Sequence, residues 1–374
     1  MQALKETLMR NVQLALAVAA ILLTATAQAA DEPLGLKQGS PDLKSAGPLA
    51  FAPQGVLLVG DPQGAAVFAI ATGDKAGDAS KVQINVTNLQ QKLADLLSAS
   101  VQAVSVNDLA VNPESGNVYL SVTAAGKPAL VRIDSAGKLT RLSLDKVAYS
   151  KAELPNAPED KVVNDGRRAR NYRGESILDL AFVDGQVIIS GMTKDQSPAN
   201  VRSIPFPFNS VDTGSSIEIF HAAHGRVEDY APARTFVAFN IGGEPNLLAG
   251  FTCTPLVKFP IKQLEPGKKV RGTTVAELGN RNRPLDMIVY EQGGKNYLLM
   301  ANSSRGVMKI STDNIERGDG LTEPVRGGGT AGQPYETIDA LQGVVQLDKL
   351  NDSYAVVVIQ SENGQLNLKT VALP

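Results

Sequence analysis

The chain has 374 residues, 43% of them apolar and 20% charged, with a formal net charge of -2. That length and apolar content can fill a large core, so disorder is excluded as the default state, and the balanced charge excludes a global basic field for nucleic acid or an anionic membrane. Trp is absent, which disfavours stacked-base or Trp-lined sugar platforms; the one cysteine, Cys253, permits no internal disulfide and no structural Cys/His zinc set or c-type haem motif.

Residues 1–30 form a separate object. Lys5 and Arg10 make a positive amino-terminal region, Leu14 to Leu23 an apolar core short for a bilayer, and Ala27-Gln28-Ala29 a small-residue cleavage site. The expectation is a signal peptide and an exported, periplasmic or secreted protein starting near Ala30 or Asp31, with no membrane span after cleavage. Residues 31–47 read as a polar lead-in, and 48–374 as one domain.

Within that domain one phrase returns six times: an apolar strand, a turn of small or polar residues, and a second apolar strand. The copies begin at Leu57, Tyr119, Val187, Leu247, Leu298 and Val356. Four are preceded by a strand opening on a carboxylate, at Asp108, Asp179, Asp286 and Asp339. A unit of this size cannot bury its own faces, and repetition every ~50–70 residues points to a radial array of four-stranded blades. The fold class expected is all-β, a six-bladed β-propeller, with seven blades as the alternative count. One stretch breaks the pattern: Leu89, Leu93, Leu96 and Leu97 share a helical face, which predicts a short external helix within 87–100, capped by Thr87 or Asn88. Residues 145–174 read as the least β-like part, a charged insertion carrying Arg167, Arg168, Arg170 and Arg173 beside Glu159, Asp160, Asp165 and Glu175. It is either a docking loop for an acidic partner or anionic substrate, or a self-compensating solvated loop.

Over Asn107 to Leu142 the wording DLAVNPESGNVYLSV…ALVRIDSAGKL resembles the YVTN and NHL-type propeller repeats. Such repeats serve binding proteins and enzymes alike, so the resemblance implies architecture rather than activity.

In a propeller the inner strands start at one mouth of the central channel, and the loops between second and third strands return to that face. Asp108, Asp179, Asp286 and Asp339 should therefore ring one mouth, with Asn302 and Arg305 brought beside them and Arg283, Arg173 and Glu175 nearby. Clustered carboxylates repel unless compensated. One solution is a hard cation such as Ca²⁺ held by Asp179, Asp286 and Asn302; in residue types this resembles the six-bladed gluconolactonase and senescence-marker group, where a channel metal is implied. The other is a structural clasp, each Asp accepting backbone N–H groups from neighbouring blades.

His221 and His224 are the only histidines. On a strand, positions three apart face opposite ways and share no ligand, whereas in a turn before Gly225 they can converge. No Gly-x-Ser-x-Gly, His-Glu-x-x-His or phosphate-loop pattern is present. Cys253 reads as a partly buried inert thiol or a lone reactive one. Without a catalytic constellation, the leading reading is a binding protein for an unknown protein or small molecule at the channel mouth. The alternative is a Ca²⁺-dependent hydrolase of lactonase or phosphoesterase type.

Overall fold

The computed structural model describes residues 33–164 and 169–374. The leader and mature start fall outside the described residues, as do Arg167 and Arg168. Among the described residues no helix is long and apolar enough to cross a membrane.

Six sheets, antiparallel except where Lys269–Arg271 pairs in parallel with Ser215–His221, form the blades of a β-propeller. Blade 1 runs outward through Leu49–Ala52, Val56–Asp61, Ala66–Ala71 and Val147–Glu153, with Lys37–Gly39 at its edge. Blade 2 takes Val104–Val111, Val118–Ala124, Lys127–Ile133 and Leu139–Arg141. Blade 3 is built on Asp179–Val183, Gln186–Met192, Ala199–Pro205 and Ser215–His221, and blade 4 on Thr235–Ile241, Glu244–Gly250, Pro255–Pro260 and Thr273–Glu277. Blade 5 uses Pro284–Gln292, Lys295–Asn302, Gly306–Ser311 and Tyr335–Thr337. Blade 6 uses Val344–Lys349, Tyr354–Gln360 and Leu366–Ala372, and borrows Asn85–Val86 as its outer strand.

The six repeated phrases are the second and third strands of the blades, in the register their patterns suggest: Leu57 faces Ile70, and Leu298 faces Ile310. Second strands are apolar without alternation because a blade is covered on both faces; all six residues of Val56–Asp61 are buried. The core is a series of interblade layers. Phe68, Leu57 and Leu49 meet Tyr119 and Leu130 between blades 1 and 2, and Leu248 and Leu256 meet Met300 and Met308 between blades 4 and 5.

The blades do not follow one another around the ring in chain order. Inner strands pack in the sequence 2-1-3-4-5-6 and back to 2. After the first three strands of blade 1, the chain passes to the edge of blade 6, where Val86 pairs with Leu368 and closes the ring. It then builds blade 2 and returns to give blade 1 its strand Val147–Glu153. This corrects the reading of 145–174 as least β-like: Val147 to Glu153 is a strand, and Tyr149 stacks on Phe68 with centroids 6.2 Å apart. The lead-in is partly structural too, with Leu36 and Ala46 buried. The helix spans Leu89–Leu97 and buries Leu89, Leu93 and Ala94 against blades 2 and 6. Asn88 holds its N-cap position in a left-handed conformation and makes no side-chain cap.

Candidate functional site

Three of the expected carboxylates reach the channel, and the ring order explains their arrangement. Asp108, Asp179 and Asp286 belong to blades 2, 3 and 5, which occupy alternate places in the ring. Each extends one oxygen to the inner strand of the blade between. Asp108 Oδ2 accepts the N–H of Leu49 at 2.7 Å, Asp179 Oδ2 that of Phe236 at 2.8 Å, and Asp286 Oδ2 that of Leu347 at 2.8 Å. The second oxygens of Asp179 and Asp286 accept the next amide of their own strands, Leu180 and Met287, both at 2.8 Å. These three aspartates are the only residues common to two cavities, one of about 110 Å³ on the side of Pro48 and Arg234, the other of about 650 Å³ lined by Phe51, Val183, Ala238 and Val289.

Asp339 is not part of this girdle. It is exposed in the short 3₁₀ turn Asp339–Leu341, ahead of the inner strand. Blade 6 supplies Asp348 instead, whose Oδ2 accepts the N–H of Val111 at 2.7 Å while Oδ1 accepts that of Lys349 at 2.7 Å. Aligning blades on the pair Leu-Asp (Leu178-Asp179, Leu285-Asp286, Leu347-Asp348) rather than on Ile338-Asp339 would have found it.

Confinement raises every one of these acids. Burial pushes Asp108 well above the usual carboxylate range, with Asp179 adding repulsion, and does the same to Asp286 beside Asp108. Burial also lifts Asp179 to about 7 and Asp348 to about 6 against the amide bonds that favour their ionised forms.

The geometry favours the clasp over a channel cation on Asp179, Asp286 and Asn302. Both oxygens of each of the two aspartates already hold an amide. Asn302 lies at the blade 5 hairpin, with its Oδ1 accepting the N–H groups of Ser304 at 3.0 Å and Arg305 at 3.2 Å. The carboxylates act as interblade clasps.

The other expected mouth residues are dispersed. Arg283 is exposed, its own N–H held by Ser303 Oγ, and Arg305 donates to the Asn280 carbonyl at 3.2 Å. Arg173 anchors the insertion: its Nε donates to the Gln63 carbonyl at 2.9 Å and Nη1 to that of Pro158 at 3.1 Å. Two further ties hold the insertion's stem. Buried Arg202 donates to the Pro155 carbonyl at 2.6 Å, and the Lys194 N–H donates to that of Asn156 at 2.8 Å. Glu175 faces Arg234 at 3.7 Å.

Pinned in this way, the insertion walls a cleft of about 690 Å³ against the mouth-side loops of blades 3 and 4. Its lining carries four cations, Lys161, Arg170, Lys194 and Arg234, against two carboxylates, Glu159 and Glu175. Tyr172, Tyr230, Met192 and prolines supply the apolar surface. Lys161 pairs with Glu159 and Arg234 with Glu175. Among the described residues neither Arg170 nor Lys194 has a carboxylate within 4.0 Å. Arg234 also lines the small cavity over the aspartate girdle.

The two histidines converge beside this cleft. His221 ends its strand and His224 lies in the following turn; their rings sit 3.9 Å apart, centroid to centroid. Glu228 takes the Nδ1 of both, each at 2.8 Å, and Arg226 Nε at 3.0 Å. Burial opposes ionisation of Glu228, but hydrogen bonds from His221, Tyr230, His224 and Arg226 prevail and hold it well below the usual range. Sequence reasoning missed Glu228 because a carboxylate four residues past a histidine carries no motif; only the hairpin between Ser215–His221 and Arg226–Glu228 makes them partners. It likewise missed Arg234, Tyr172 and Tyr230, which the insertion's fold brings together.

Taken together the fold and site define a six-bladed β-propeller with a clasped channel and an insertion-walled cleft on its mouth face. Comparison with protein-family models finds no match, nor does comparison with curated proteins. Among solved structures the chain is similar to an oxidoreductase of glucose dehydrogenase type from Thermus thermophilus, at 14% identity over 90% of this chain and 100% of that one with a TM-score of 0.33. It is also similar to a protein assigned as a gluconolactonase, at 10% identity over 91% and 93% with a TM-score of 0.30. A third is streptogramin B lyase, at 8% identity over 90% and 97% with a TM-score of 0.35. Likenesses at this level carry no argument about activity.

Proposed function

We propose that the protein is an exported binding protein that takes a small anionic ligand with an apolar portion in the cleft beneath the 155–175 insertion. The observation that carries this reading is the lining itself. Four cations, two of which (Arg170 and Lys194) have no carboxylate within 4.0 Å among the described residues, line the cleft against two carboxylates, next to Tyr172, Tyr230 and Met192. A pocket of this size, mostly apolar with a few convergent charges, suits a small organic molecule. Export is supported by the positive, apolar and small-residue succession of residues 1–30.

The test is a set of melting curves with matched pairs of compounds, each an aromatic or aliphatic carboxylate or sulfonate beside its neutral amide or alcohol. Anions should raise the melting temperature and their neutral partners should not; equal stabilisation by both members would refute the reading. Export is checked separately, by recovering the mature chain from a periplasmic fraction with its amino terminus near Ala30.

A further inference from the structure

We infer that His221, His224 and Cys253 form a binding site for a borderline-soft transition-metal ion, of which Zn²⁺ is the type. Among the described residues this is the only group of three metal-ligating side chains whose donor atoms all lie within 4.8 Å of one another. Tetrahedral zinc with bonds of about 2.0–2.3 Å needs donors roughly 3.3–3.6 Å apart, so closure asks for small side-chain movements.

The histidines are prepared for such an ion. Both Nδ1 atoms lie 2.8 Å from oxygens of Glu228 and are engaged there, which leaves the two Nε2 atoms as the nitrogens free to ligate. Proteins hold metal-binding imidazoles in this way, through a carboxylate on the far nitrogen. For His221 the need is acute, because the residue is 2% exposed and its Nε2 is buried with no hydrogen-bond partner. A buried polar atom without a partner is costly, and an ion would satisfy it.

The backbone presents the third ligand deliberately. Cys253 and Thr254 are successive non-glycine residues with φ of 65° and 49°, a conformation that costs energy and here turns the hairpin of blade 4 toward the histidine turn. Three anchors hold it: Cys253 N–H to the Asn282 carbonyl at 2.8 Å, Thr254 N–H to that of Phe251 at 2.8 Å, and Thr254 Oγ1 to that of Gly279 at 2.8 Å. On the other side, Glu277 Oε2 accepts the Ala223 N–H at 3.1 Å and fixes the turn that carries His224.

One thiolate and two imidazoles select against Ca²⁺ and Mg²⁺, which require oxygen. Three protein ligands with His224 partly exposed leave the fourth position to solvent, the open form of a zinc site. Thr252, preceding Cys253, lines the cleft, so the ion would border it. Zinc binding stands whether or not the cleft takes an anion.

The experiment is titration of the mature chain, free of any histidine tag, with Zn²⁺ and with Co²⁺ as the spectroscopic probe. The expected result is one ion per chain, a thiolate-to-cobalt absorption band in the near ultraviolet with visible bands of tetrahedral intensity, and no response to Ca²⁺. Cys253→Ser should abolish the near-ultraviolet band, and Glu228→Gln should weaken Zn²⁺ binding by about 10–100-fold. Should Cys253→Ser fail to fold, alkylation of Cys253 in the native chain serves instead, and Zn²⁺ should slow it at least tenfold. Unaltered Zn²⁺ affinity in both Cys253→Ser and His224→Ala would overturn the proposal. So would octahedral Co²⁺ spectra without a thiolate band, or an alkylation rate indifferent to Zn²⁺.

Discussion

Asp179 accepts the backbone N–H of Phe236 at 2.8 Å, joining the inner strand of one blade to the inner strand of the next. Its other oxygen accepts the N–H of Leu180 at 2.8 Å, so the carboxylate uses both oxygens on backbone. Replacing Asp179 with Ala frees both amides and should cost about 1–3 kcal/mol, the penalty for unsatisfied donors. Asn keeps one acceptor and sheds the charge, so Asp179→Asn should lose less. Urea unfolding near neutral pH measures both; an alanine variant as stable as the native chain would show that the bond carries no stability.

The same clasps set the response to pH. Burial lifts Asp179 from 3.8 to about 7 and Asp348 to about 6, and holds Asp108 and Asp286 well above their ordinary value. Between the unfolded and folded values the native state binds more protons than the unfolded chain. Stability from these groups is therefore fully present below the unfolded value and is lost as pH rises through the folded ones. The melting temperature should fall from about pH 5 to about pH 7.5, and Asp348→Asn should flatten that fall. A melting temperature that rises across this range would contradict the sign.

Blade 1 touches blade 3 through Gly60, where an added Cβ would lie 3.0 Å from Ile177 Cγ2 and 3.2 Å from Leu180 Cδ2. Gly60→Ala should destabilise by about 1–2 kcal/mol through overpacking. Ile177→Ala makes room, so the double variant should be more stable than the two losses predict by at least ~0.5 kcal/mol. Strict additivity in denaturant unfolding would mean that these blades are not neighbours.

Arg173 links the insertion to blade 1 through the carbonyls of Gln63 and Pro158. Arg173→Ala should release the 155–175 segment locally, with little change in global melting, because the lost bonds lie outside the interblade core. Hydrogen exchange should quicken in that segment and stay unchanged in the blades. Unaltered protection there would remove Arg173 from the cleft's support.

The blades were legible because each second strand is an unbroken apolar run, such as Leu57-Leu58-Val59, bounded by turn residues. Their ring order was not, since nothing in the sequence says that Asn85–Val86 pairs with Leu368 or that Val147–Glu153 returns to blade 1. That order matters for the site. In chain order the aspartates at 108 and 179 look consecutive, and blades 1 and 4 simply lack one; in the ring, those two blades supply the N–H groups of Leu49 and Phe236 that the aspartates hold. Asp339 misled because its Ile-Asp pair mimics Leu-Asp one turn too early. The histidine–cysteine convergence depends on contacts between blades 3 and 4, which no local spacing encodes.

The most direct test of the cleft is binding of 8-anilinonaphthalene-1-sulfonate, an aromatic anion matched to its cations and tyrosines, followed by fluorescence. The native chain should bind one molecule saturably, and Arg170→Glu with Lys194→Glu should weaken it at least ~10-fold, or ~1.4 kcal/mol. Equal affinity in the charge-reversed chain would contradict the assignment of the cleft as an anion site.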